Sequence, residues 1–223
     1  MEQIFKTWYK HLKPILDSKY FINLVKQLDS QYELSKFMFN KIKIYPTDKK
    51  KVFKCFNCDF NNLKVVFIGS KPFDEFSEGL AFDSTNDKIR LHSTSELIRY
   101  KIEEEFYDGF HLGHDATLEY LVPQGVLLLN ESLTTTNQKD HKELWSQFIQ
   151  FVIKIIQDNN TGIIFCIDRQ SDLVKLIDTK KHHLLTFEDP TKCDYDFNSW
   201  DFKFKDINNI LEHMNGSEYK IKF

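Results

Sequence analysis

Residues 63–84 read LKVVFIGSKPFDEFSEGLAFDS, and this stretch decides the fold. It starts with a continuous apolar run, residues 65–68, which Gly69 and Pro72 bring to an end. A short apolar run bounded by turn residues is typical of a strand that is buried on both faces. Because ligands of open α/β sheets bind beyond the carboxyl ends of the strands, we expect the polar loop 70–78 to carry the chemistry.

Three later segments repeat the pattern of an apolar run that ends at a polar residue. Residues 126–129 precede Asn130, residues 163–167 precede Asp168, and the segment HHLLTFEDP ends at Glu188 and Asp189. Four strands that each deliver a polar residue to one edge outline a pocket. The pattern therefore predicts one α/β domain with a central, largely parallel sheet.

The remaining apolar residues recur mostly at helical spacing. This periodicity predicts helices within residues 1–42 and at 93–106, 141–157, 171–177 and 204–214, and a further helix through Val52, Phe53 and Phe56. A chain of 223 residues with 41% hydrophobic content can bury one substantial core. We therefore expect a single domain, residues 1–223, with an N-terminal helical part at 1–42.

Charge and cysteine content limit the possible partners and ligands. The formal net charge of −3 gives no global attraction to nucleic acid, so DNA binding would need a local patch. The lone CxxC at Cys55 and Cys58 has no second close pair, so we predict no structural metal, and we expect no cofactor. The apolar runs are too short for a signal peptide or a membrane span, so we expect an intracellular monomer away from membranes.

Four of these segments resemble the family 1 uracil-DNA glycosylases in order and spacing. The family's GQDPYH motif aligns with residues 69–74, its GLAF with 79–82 and its GVLLLN with 125–130, the last two without change. The similarity covers roughly residues 40–211. It implies a three-layer α/β/α fold with a four-stranded central sheet, and an enzyme that flips a base out of DNA and hydrolyses its glycosidic bond.

The chain departs from this family at the positions that the resemblance marks as catalytic. Lys71 occupies the place of the Asp that positions or activates water, and Phe187 that of the His that supports the charge on the departing base. Thr191 matches the Leu that fills the gap left by the flipped nucleotide, and Phe73 matches the Tyr that crowds the C5 atom of the base. The catalytic side chains must therefore come from elsewhere if the chain is an enzyme.

The residues that hold the base are retained. The resemblance implies that Phe82 stacks on the base and that Asn130 reads its edge, with Ser70 and Phe73 completing the base-binding set. The Asn130 amide suits O4 and N3–H of uracil, and a turned amide suits the edge of cytosine. The loop from Gly69 to Gly79 is two residues shorter than in the family motif, so the C5 side could admit a bulky substituent.

Nearby carboxylates could replace the missing catalytic groups. A carboxylate near the sugar stabilises its positive charge and helps to activate water, and we favour Asp74 and Asp189, with no preference between them. Either of them could instead pair with Lys71. Lys71 could also attack the sugar as a nucleophile, which would give strand nicking, although its acidic loop disfavours the neutral amine.

DNA-backbone contacts are expected at two places. Ser93 and Thr94 open a predicted helix and could donate to a phosphate or serve as an ordinary helix cap. We expect Thr191 and Lys192, which follow the fourth strand, to contact the backbone as well.

Two classes of function remain open from the sequence. The first is a DNA glycosylase that releases a pyrimidine other than uracil, for example a hydroxymethylated or glucosylated cytosine of phage DNA, in antiphage defence. The second is a non-catalytic protein of the same fold that binds DNA or another protein. Loss of both catalytic side chains favours the second, whereas retention of Phe82 and Asn130 in unchanged motifs favours the first.

Overall fold

The computed structural model describes residues 1–37, 41–83, 94–108, 117–190 and 200–223. In chain order its main elements are the helices α1 (Glu2–Phe5), α2 (Tyr9–Leu16) and α3 (Lys19–Ser35), the strands β1 (Ile44–Tyr45) and β2 (Val65–Gly69), the helix α4 (Thr94–Phe106), the strands β3 (Val126–Asn130) and β4 (Thr135–Thr136), the helix α5 (Lys142–Asn159), the strands β5 (Ile164–Asp168) and β6 (His183–Phe187), and the helix α6 (Phe204–Asn215).

The central sheet has the strand order β3-β2-β5-β6, and every pairing in it is parallel. The predicted three-layer α/β/α fold with a largely parallel four-stranded sheet is therefore confirmed. The register places Gly69 beside Asn130, and Asp168 beside Phe187. Parallel strands end at the same edge, so the polar residues that follow all four strands meet there.

Helices cover the sheet because its strands are apolar on both faces. β2 and β3 are buried along their whole length, as parallel strands between helical layers must be. α2 packs on α5, and Phe148 of α5 meets the ring of Phe56 edge-on, with ring centroids 5.9 Å apart. α4 packs on α6, where Phe204 lies 5.8 Å from the ring of Phe67 on β2.

Short segments depart from the predicted boundaries in modest ways. The predicted helix through Val52, Phe53 and Phe56 consists instead of two 3₁₀ turns, Lys49–Lys51 and Lys54–Asn57. The predicted helix at 171–177 is a 3₁₀ turn, Asp172–Leu176, capped by the Ser171 hydroxyl. Such short runs gain too few hydrogen bonds to sustain an α-helix, so tertiary packing decides their form.

Among the described residues, no helix combines the length and the apolar character needed to cross a membrane.

The antiparallel ribbon β1–β4 lies outside the central sheet and pairs Ile44 with Thr136. It connects the N-terminal part to the segment that leads into α5. Residues 140–142, the last two residues of this segment and the first residue of α5, reach the pocket described next.

Candidate functional site

A cavity of about 400 Å³ lies at the carboxyl edge of the sheet. The residues that line it come from the ends of β2, β5 and β6, from the loop after β3 and from the start of α5; they are Ile68, Gly69, Ser70, Lys71, Phe73, Phe82, Glu131, Asp140, Lys142, Asp168, Gln170, Ser171, Phe187 and Asp189. This is the edge at which the sequence predicted a site.

The apolar side of the cavity is built around Gly69. A Cβ atom at this position would lie 2.8 Å from Asn130 Oδ1 and 3.1 Å from both Phe82 Cζ and Ala81 Cβ. The end of β2, the Asn130 amide and the Phe82 ring are therefore packed against one another. Only a glycine allows this approach.

Phe82 adopts a left-handed backbone conformation, with φ of +64°, which is uncommon for an aromatic residue. Its ring is buried and meets the rings of Phe67 and Phe187 edge-on, with centroids 6.2 and 5.9 Å away. The backbone N–H of Ala81 donates to the carbonyl of Leu128 on β3, which fixes the segment to the sheet. The ring is thus held rigidly at the cavity wall.

Asn130 is 3% exposed, and its Oδ1 atom has no hydrogen-bond partner among the described residues. A buried acceptor without a partner costs about 1–3 kcal/mol. Such a group is typical of a site where a ligand donor completes the bond. Asn130 lies directly behind Gly69 and Phe82, which both line the cavity.

Other residues that line the cavity are polar and charged. Lys71 Nζ lies 3.2 Å from Asp140 Oδ2, and Lys142 Nζ lies 2.6 Å from Glu131 Oε2. The Ser171 hydroxyl donates to Glu131 Oε1 and accepts from the backbone N–H of Leu173. Charged side chains from three loops therefore form a connected wall.

Of the three predicted catalytic residues, Asp189 and Lys71 line the cavity and Asp74 does not. Asp189 is buried and lines the cavity. Asp74 is not among the residues that line the cavity. Its carboxylate accepts hydrogen bonds from the Phe76 backbone N–H at 2.9 Å and from the Ser77 hydroxyl, and these bonds close the turn 73–77. Lys71 lines the cavity, and its ion pair is with Asp140 rather than with Asp74 or Asp189.

The other predicted site residues fall into two groups. Ser70 and Phe73 line the cavity, and Phe73 is 44% exposed. Thr94 begins α4 and is half-buried. Ser93, Thr191 and Lys192 lie outside the described residues, so their predicted DNA contacts remain predictions.

Four residues that line the pocket were not predicted from the sequence to belong to it, namely Glu131, Asp140, Lys142 and Ser171. Glu131 directly follows the GVLLLN run and could have been noticed as a carboxylate next to Asn130. The other three lie at the starts of helical segments after β4 and β5, with no motif to mark them.

Comparisons with known proteins agree with this architecture. No protein-family model matches the sequence. A uracil-DNA glycosylase of Aliarcobacter butzleri is 30% identical over 95% of this chain and 98% of its own length, and one of Fusobacterium nucleatum subsp. nucleatum is 26% identical over 98% and 96%. The crystal structure of mimivirus uracil-DNA glycosylase superposes with a TM-score of 0.73 at 21% identity, over 94% of this chain and 84% of that one, which shows a shared fold.

Proposed function

The chain belongs to the uracil-DNA glycosylase family, and we propose that it is a DNA glycosylase that excises a pyrimidine modified at C5 rather than uracil. One observation carries this proposal: a single cavity is lined by Gly69 and Phe82, which pack around the buried Asn130 amide, and by charged and hydroxyl groups. The Oδ1 atom of that amide has no hydrogen-bond partner among the described residues. We propose that it acts on DNA as a monomer, without a cofactor.

The apolar wall supports base recognition. An enzyme that acts on a base in DNA must turn it out of the stack and hold it by stacking and by hydrogen bonds to its edge. Phe82 offers a fixed aromatic face, and Asn130 offers a buried amide whose Oδ1 is available to a donor. Both suit a pyrimidine, and the amide orientation distinguishes N3–H of uracil from N4–H of cytosine.

The charged wall supports a substituent beyond the ring. The polar atoms of an unmodified pyrimidine lie along its pairing edge, whereas Lys142, Glu131 and Gln170 add charged and polar groups to the cavity lining. A hydroxyl-bearing group at C5 both donates and accepts hydrogen bonds and would match this mixture of charges. The short 70–78 loop leaves Phe73 44% exposed, which is consistent with a less crowded C5 side.

Modified cytosines of phage DNA are the substrates to test first. Hydroxymethylated and glucosylated cytosines carry hydroxyl groups at C5, and their excision would leave abasic sites in phage genomes. We propose antiphage defence as the setting of this activity.

The test is mass spectrometry of the bases released from DNAs that contain uracil, 5-hydroxymethylcytosine or glucosylated 5-hydroxymethylcytosine, with unmodified DNA as a blank. We expect release of one C5-modified base. Asn130→Ala should slow it by about 100-fold, because a base held without its edge contacts is misplaced for reaction. Asn61→Ala is the matched control, since Asn61 is exposed and precedes the amino end of β2. Release of uracil alone, or of no base, would overturn the proposal.

A further inference from the structure

Glu131 is a carboxylate that the family motifs do not assign and that lies inside the pocket. It directly follows Asn130, lines the cavity and is 7% exposed. We propose that Glu131 is the catalytic carboxylate of this glycosylase, in place of the aspartate position that Lys71 now occupies. This inference rests on the proposed glycosylase function.

The strand order places the Glu131 carboxylate over the end of β2. Glu131 follows β3 and Ser171 follows β5, and β2 lies between these two strands. The hydrogen bond from the Ser171 hydroxyl to Glu131 Oε1 must therefore cross the carboxyl end of β2. That end leads directly into Ser70 and Lys71.

A second set of contacts brings Glu131 close to Lys71. The short segment 140–142 supplies Asp140 to the Lys71 ammonium and Lys142 to the Glu131 carboxylate. These partners are two residues apart, so Lys71 and Glu131 are both tied to the same short segment. The carboxylate thus occupies the part of the pocket in which the family's catalytic aspartate would be expected.

The carboxylate is also held in one geometry. The Glu131 backbone N–H donates to the Gly69 carbonyl at 2.8 Å, and the next residue, Ser132, donates its N–H to the Ser70 carbonyl at 3.0 Å. Side-chain contacts to Ser171 and Lys142 fix the two carboxylate oxygens. A general base is effective only when it is held within hydrogen-bond reach of the proton it takes.

The other carboxylates that line the cavity are placed differently. Asp140 has a 42% exposed side chain that pairs with Lys71 and accepts from the Lys142 backbone N–H. Asp168 accepts from the Gln170 backbone N–H at 3.1 Å. Asp189 is buried and follows β6, the strand at the other edge of the sheet from β3. It is the alternative candidate for the catalytic carboxylate.

The reaction balances with Glu131 as the base. The bond between C1′ and the base nitrogen breaks, and its electron pair leaves with the base. Water forms a bond to C1′ and transfers a proton to the Glu131 carboxylate, which then passes the proton to solvent while the departing base takes one from solvent. Before the proton transfer, the negative carboxylate stabilises the positive charge on the sugar.

The experiment measures single-turnover release from oligonucleotides carrying uracil, 5-hydroxymethylcytosine or its glucosylated form. Glu131→Gln should slow release by about 10²–10⁴-fold, while DNA affinity changes little. Asp189→Asn should keep most of the rate. Glu143→Gln, on the exposed first turn of α5, is the matched control and should leave the rate unchanged.

Lys142→Ala distinguishes a catalytic role of the Glu131 carboxylate from a structural role of its ion pair with Lys142. It removes the ion pair but keeps the carboxylate, so we expect it to retain at least a tenth of the rate. If Lys142→Ala is as slow as Glu131→Gln, or if Asp189→Asn is the slow variant, Glu131 is not the catalytic carboxylate. If the wild-type protein releases no base from any probe, the proposed function fails and this inference fails with it.

Discussion

The two walls of the pocket are held together by different forces. The apolar wall, formed by Gly69, Ala81, Phe82 and Asn130, is fixed by contacts so close that one added methyl group would not fit. The charged wall, formed by Lys71, Glu131, Asp140, Lys142 and Ser171, is fixed by ion pairs and hydrogen bonds between loops. Packed contacts tolerate little change, whereas charged side chains on loops can be exchanged without repacking the core. This difference would allow the proposed base-holding residues to persist while the proposed catalytic groups change.

Gly69→Ala should lower both stability and base release, because it breaks the apolar wall. The new methyl group would press on Asn130 Oδ1 and the Phe82 ring. We expect a loss of about 1–3 kcal/mol in the free energy of unfolding and about 100-fold in base release. Urea unfolding and single-turnover assays check both. Ser70→Ala should be milder, since the Ser70 contact to Ser132 uses the backbone carbonyl, and equal losses for the two variants would contradict the packing argument.

Asp83 gives the apolar wall its own pH dependence. Burial raises the pKa of this carboxyl from 3.8 to about 6, nearby Glu78 and Glu119 add to the shift, and the Leu118 N–H and Lys54 oppose it. The folded state then binds more protons than the unfolded state between about pH 4 and pH 6, so this contribution to stability falls as pH rises through that window.

Asp83→Asn should therefore stabilise the protein at pH 7.5, by up to about 3 kcal/mol, and make little difference near pH 4. The measurement is urea unfolding at both pH values, with the exposed Asp206→Asn as control. An Asp83→Asn protein that is no more stable than the wild type at pH 7.5 would rule out the buried charge.

His141 gives the charged wall the opposite, smaller pH dependence. Burial lowers the pKa of this imidazole and Lys139 adds to the shift, while Asp140 opposes it; its Nδ1 atom lies 2.9 Å from the Thr134 hydroxyl. The unfolded state takes up a proton first as pH falls below 6.5, so stability falls with acidification, by at most about 1.4 kcal/mol per pH unit.

His141→Gln should flatten the loss of stability between pH 7 and pH 5.5. Thermal unfolding across this range checks it, and the exposed His213→Gln is the control. An unchanged slope in His141→Gln would show that another group causes the acid sensitivity.

The sequence predicts the strands well because a short apolar run bounded by turn residues is buried on both faces only when it forms a strand between two helical layers. All four predicted strands are present, each within one residue of its predicted end or start. Their polar ends meet at one edge because parallel pairing requires it. Short helical segments were less predictable, since their form depends on packing.

The charged wall could not be predicted in the same way. Lys71 and Asp140 are far apart in sequence, and the contact exists only because β1 and β4 bring the segment 140–142 to the pocket. Asp74 illustrates the converse: its bonds to Phe76 and Ser77 are local, and an aspartate followed three residues later by a serine already indicates a turn. Its predicted catalytic role remains to be tested by Asp74→Asn.

The most direct measurement is the ratio of kcat/KM for DNA carrying a C5-modified cytosine to kcat/KM for DNA carrying uracil, with the same sequence and length. Retained base holding and a charged wall for a substituent predict a ratio above one. A ratio below one, with uracil the better substrate, would contradict the account.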